Sequence, residues 1–75
     1  MGKFNPEILS KDSMYTFVLK GNKEDTVVSC IGRYICTDVK CSRFMYLDAQ
    51  TRMYAYIFID EVISAYENVL VYDKE

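Results

Sequence analysis

The sequence predicts an all-β fold, a small five-stranded barrel with a short N-terminal helix. Three observations carry that expectation. Apolar side chains alternate with a period of two through Met14–Lys20 and again through Arg52–Ile59, which is strand spacing. A β-rich run of about twelve residues, Thr26 to Thr37, has Gly32 in its middle, as a long strand does when it must bend to pair with both halves of a curled sheet. Glycine (3) and proline (1) are scarce among the 75 residues, so the connections between strands are few. A chain of this length makes one domain, residues 1–75, near the lower limit for unaided folding.

The elements follow in order. Asn5-Pro6-Glu7-Ile8-Leu9-Ser10-Lys11 opens with an N-cap residue, a proline suited to the first helical position and an acid placed against the helix dipole. A short helix is expected over 5–12, with the barrel spanning 14–72. Met14–Lys20 is the first strand, and Tyr15, Phe17 and Leu19 make its better core face. Gly21 to Asp25 is a polar turn whose Gly-Asn pair is a hairpin signal. The second strand follows, with a bulge or sharp bend expected at Gly32. Asp38-Val39-Lys40 turns the chain, Arg43–Leu47 is a third strand, and Asp48-Ala49-Gln50-Thr51 turns it back. Arg52–Ile59 is the fourth and clearest strand. Asp60-Glu61-Val62 reads as one helical turn, Ile63–Tyr66 as a fifth strand, and Val69–Tyr72 as its extension or a sixth.

Composition excludes several functions. Hydrophobic residues at 51% allow a core, while a formal net charge of −2 argues against a general polyanion binder. The sequence has no histidine, which removes His-dependent acid–base chemistry and most zinc sites. Cys30, Cys36 and Cys41 are odd in number and match no standard zinc spacing. They are expected to be reduced core or half-buried residues, with a redox or metal role left open. No apolar run approaches a membrane span and no secretory signal is visible, so the cytoplasm is the expected compartment. Residues 1–43 hold seven basic and five acidic groups, and residues 44–75 hold two basic and six acidic. That asymmetry can steer a charged partner or simply solvate the surface.

The order of elements and some local wording resemble the Sm-like family of small SH3-like barrels. Phe17-Val18-Leu19-Lys20-Gly21 followed by Val27-Val28-Ser29-Cys30-Ile31-Gly32 is similar to that family's first motif. Phe44-Met45-Tyr46-Leu47-Asp48-Ala49 and Tyr56-Ile57-Phe58-Ile59-Asp60-Glu61-Val62-Ile63 are similar to its second half. The resemblance runs over roughly residues 5–67 and implies an oligomeric RNA-binding protein. Two segments depart from the RNA-binding members: Asp38-Val39-Lys40-Cys41, and the acidic Asp60-Glu61 where a phosphate would have to approach.

Three function classes follow. The leading expectation is a non-enzymatic protein-binding module or inhibitor. Tyr54, Tyr56 and Phe58 alternate on one face, followed by Asp60 and Glu61, and Tyr and Phe are enriched at interface cores. These rings either meet another chain or pack under the N-terminal helix. The fourth and fifth strands could also pair edge to edge between protomers and build a ring. Small size without a catalytic kit is similar to accessory proteins of phages and mobile elements that occupy a host protein's surface. The second class is an Sm-like oligomer that binds RNA. The third is an oligomer that sequesters a small nucleotide between protomers. In both of these, Arg33, Tyr34, Lys40, Arg43 and Tyr46 supply phosphate contacts and stacking. Asp60, Glu61 and Asp48 could share a proton or a hard cation, but no phosphate loop accompanies them. No catalytic residue, metal site or cofactor is expected.

Overall fold

The structure is a computed structural model and describes residues 4–68. It is all-β. Five antiparallel strands run β1 (Met14–Lys20), β2 (Val27–Asp38), β3 (Arg43–Asp48), β4 (Tyr54–Phe58) and β5 (Val62–Glu67). Their order across the sheet is β4-β3-β2-β1-β5. β1 to β4 form a meander, and β5 returns to lie beside β1. The expected strand at Val69–Tyr72 lies outside the described residues.

β2 links the two halves of the sheet. Its residues Val27–Arg33 pair with β1, and its residues Gly32–Asp38 pair with β3. Only Gly32 and Arg33 belong to both ladders. Gly32 is buried, and a Cβ there would meet the ring of Tyr46 and sit 2.7 Å from the Leu47 carbonyl oxygen. No described glycine has a positive φ. The glycine is therefore required by close approach of a ring and a strand, not by a special backbone conformation. The bulge expected at this glycine lies further along, where the register shifts between Tyr34 and Cys36 and leaves Ile35 unpaired.

The N-terminal helix is shorter than expected: a single 3-10 turn at Pro6–Ile8 replaces a helix over 5–12. Asn5 caps it by accepting the Glu7 N–H at 3.0 Å. The turn stops because Leu9 is extended, with φ −81 and ψ 136, and its side chain is drawn into the core. The chain then binds to β2 instead of continuing helically. The Asp12 N–H donates to the Tyr34 carbonyl at 2.9 Å, and the Tyr34 N–H donates to the Ser13 carbonyl at 3.0 Å. A second 3-10 turn at Ile59–Glu61 joins β4 to β5.

One face of every strand points into a single aromatic core. Leu9, Tyr15, Phe17, Tyr34, Phe44, Tyr46, Ile57 and Val62 are buried together. Phe17 and Phe44 are 0% exposed, and their rings lie 5.1 Å apart, tilted, a favoured aromatic geometry. Ile57 comes from one edge strand and Val62 from the other, so the sheet curls until both edges reach the same centre. The N-terminal segment covers this inner side, with Phe4 at 6.4 Å from Phe44.

Candidate functional site

The outer side of the β3–β4 hairpin is a row of apolar side chains with no described segment over it. Tyr54, Tyr56 and Phe58 are 64%, 46% and 49% exposed. Register places them opposite Leu47, Met45 and Arg43 respectively. Directly opposite residues in antiparallel strands share a face, so Met45 and Leu47 extend the aromatic row. Cys36, opposite Met45 on β2, continues it. Asp60 and Glu61 are exposed just beyond Phe58. The N-terminal segment lies on the opposite side, against Phe44, and so does not roof these rings.

Arg43 anchors the row. Its guanidinium carbon sits 3.9 Å from the centre of the Tyr56 ring, close enough for a cation–π contact. Its Nε lies 3.4 Å from Asp38 Oδ2 and has no hydrogen-bond partner among the described residues. The arginine thereby fixes Tyr56 while its own charge is partly answered by Asp38.

The five residues expected to form a nucleotide site do not come together. Tyr34 and Tyr46 are core side chains. The Tyr34 hydroxyl shares a 2.6 Å hydrogen bond with Thr37 Oγ1, its ring lies 5.9 Å from Phe44, and the Tyr46 ring lies 5.7 Å from Phe17. Neither ring has a face to offer a base. Arg33 and Arg43 do share the outer face, but Arg33 is opposite Leu47, four residues along β3 from Arg43, or roughly 13 Å at strand rise. Arg33 is also engaged, its Nη1 donating to the Asp12 carbonyl at 2.6 Å. Lys40 stands exposed in the β2–β3 turn. Parity was the available signal: Phe44 and Tyr46 alternate with Arg43 and Met45, which sends Tyr46 inward wherever Arg43 points outward.

The inner face holds a small polar group. Cys30 is half-buried and Tyr46 buried. Burial raises the Cys30 thiol, with the nearby Asp48 charge acting in the same direction and its hydrogen bond with Tyr46 opposing it. Burial, then the bond with Cys30, pushes the Tyr46 phenol well above its ordinary range. Asp48 is held below the usual carboxylate range, chiefly because it accepts the Thr51 N–H. That bond is 2.9 Å, and Asp48 also accepts the Gln50 N–H at 3.1 Å. Asp48 is therefore a turn-forming carboxylate rather than one of a pair sharing a proton or cation. A raised thiol is also a poor nucleophile. Cys36 and Cys41 are exposed, against the expectation of core or half-buried cysteines, and all three are free.

Among the described residues, no three Cys, Asp or Glu side chains are grouped so as to hold a metal ion. No described helix is long and apolar enough to cross a membrane. Comparison with protein-family models, curated proteins and solved structures finds no match.

Proposed function

We propose that the chain is a non-enzymatic binding protein that docks another protein on the outer face of β3 and β4. The observation that carries this reading is the exposed aromatic row Tyr54, Tyr56 and Phe58, flanked by Met45 and Leu47 and ordered by Arg43. A domain with its own aromatic core has no folding need for a second such row in solvent. Exposed apolar patches of this kind mark interaction sites, and tyrosine and phenylalanine supply large contact area at low conformational cost. The exposed acids Asp60 and Glu61 at one end favour a partner with an apolar centre and a basic rim.

The nucleotide and RNA readings lose Tyr34 and Tyr46 as stacking groups, since both rings are buried. The test is capture of a protein from nuclease-treated lysate by the wild-type chain and by a Tyr54→Ala/Phe58→Ala variant with unchanged circular dichroism. A partner retained by the first and lost by the second supports the proposal. Binding that survives in the variant, or that is seen only when the nuclease is omitted, contradicts it.

A further inference from the structure

β4 is an edge strand, and its hydrogen-bonding directions can be read from its ends. The Ile59 N–H donates to the Ser42 carbonyl at 2.9 Å, and the Met53 carbonyl accepts from the Asp48 N–H at 2.9 Å. Backbone groups of an antiparallel strand alternate in direction along the chain. Residues 53, 55, 57 and 59 therefore bond toward β3. The N–H and C=O groups of Tyr54, Tyr56 and Phe58 point the other way, to a side with no partner strand among the described residues.

Proteins normally blunt such an edge with lysine, proline, a bulge or an inward charge. Tyr54–Phe58 reads YAYIF and has none of these. The other edge strand is better guarded. The β1–β5 ladder shifts register between Val18 and Leu19. By the same alternation, the bond from the Asn68 N–H to the Met14 carbonyl leaves the backbone N–H and C=O groups of Ala65 and Glu67 on the open side of β5, and Glu67 is charged.

We infer that two copies of the chain pair antiparallel through β4, about a two-fold axis at Tyr56. This rests on the reading above that the outer face of β3 and β4 is an interaction surface, and names one occupant of its edge. In that register Tyr56 faces Tyr56 of the second copy, and Tyr54 faces Phe58. All three residues that point to the open side become hydrogen-bonded pairs, each exchanging two bonds. Their side chains stay on the outer face, so tyrosine meets phenylalanine and tyrosine meets tyrosine across the junction, which are favoured cross-strand pairs. The ends also match. Arg52 precedes β4 and Glu61 follows it, so antiparallel pairing brings the basic end of one copy to the acidic end of the other. A parallel pairing would set like charges together. The pair is isologous and closed, and it joins two aromatic rows into one wider platform.

Sedimentation velocity of the full chain alone tests this separately from partner capture. The wild type is expected at twice 8.8 kDa at tens of micromolar. Tyr56→Pro removes an N–H that β3 does not use, and an edge strand tolerates proline there. It is expected to stay folded and sediment as a monomer, with dimer affinity weaker by about 100-fold. Tyr56→Glu leaves Arg43 an acidic neighbour within one copy and sets two carboxylates across the axis. It is expected to do the same, and it decides the matter if the proline variant does not fold. A monomeric wild type at 1 mM, an assembly larger than two, or a folded Tyr56→Glu that remains dimeric overturns the inference.

Discussion

The two faces of the β3–β4 hairpin are almost equally apolar and have opposite fates. Phe44, Tyr46 and Ile57 point inward and are buried, while Tyr54, Tyr56 and Phe58 point outward and are about half exposed or more. Hydrophobicity alone does not separate the sets. The curl of the sheet does, because it places the inner set against Phe17 and the outer set against solvent. Burial gives the inner rings their contribution to stability, and exposure leaves the outer rings available to another chain. Substitutions on the two faces should therefore give different kinds of loss.

The largest expected effect is on the inner face. Phe44→Ala should lose about 3–5 kcal/mol of unfolding free energy, measured by urea titration, since a fully buried ring leaves a cavity. A loss below about 1 kcal/mol would mean that this face is not the core. Next comes Gly32. A side chain there collides with the Tyr46 ring and the Leu47 carbonyl, so Gly32→Val should cost about 1–3 kcal/mol or more by overpacking. Because the obstacle is contact and not φ, Gly32→Ala should also destabilise. Placing it in a Tyr46→Ala background should reduce the penalty without abolishing it, since the Leu47 carbonyl remains. Full additivity of the two changes would contradict the contact explanation.

The pH dependence should be smaller and two-sided. Asp48 has a depressed folded-state pKa, so its contribution is present above the unfolded value near 3.9 and is lost as pH falls through the folded value. Cys30 and Tyr46 are raised. The folded state therefore holds their protons more tightly, and stability should decline as pH rises past the unfolded thiol value near 8.5. Cys30→Ser should flatten the onset of the alkaline decline. An unchanged alkaline limb would place its cause elsewhere. The smallest effect on stability belongs to the outer face. Tyr54→Ala and Phe58→Ala should each change unfolding free energy by about 0.5 kcal/mol or less, and still abolish partner capture. A loss of several kcal/mol would return these rings to a structural role.

Much of this contrast was legible in the residues. β1 runs from Met14 to Lys20 as its alternation implies, and the long second strand does serve two ladders. The outer position of Tyr54, Tyr56 and Phe58 follows from parity once Ile57 is inside. Three features were not legible, each for a physical reason. The helix over 5–12 gave way to one turn because Leu9 gains more by entering the core than by continuing a short helix, a tertiary preference that local capping signals do not contain. The bulge falls at Ile35 rather than at Gly32; the glycine answers instead to the Tyr46 ring and the Leu47 carbonyl close above it, a tertiary contact that a glycine inside a strand pattern does not distinguish from a bulge. Arg33, Tyr34, Lys40, Arg43 and Tyr46 looked like one site because they are near in sequence or across one turn. Alternation sends the tyrosines inward and the arginines outward.

In the proposed pairing, β4 is held by β3 on one side and by another chain on the other. Residue-resolved amide exchange, followed as protein concentration rises, reads the two sides separately. Ala55 and Ile57 should be protected at every concentration, because their N–H groups bond to β3. Tyr54, Tyr56 and Phe58 should exchange fast when dilute and become protected as copies associate. Protection of those three amides equal to that of Ala55 and Ile57 at the lowest concentration, or fast exchange at every concentration, would mean that β4 does not offer an open edge to a second chain.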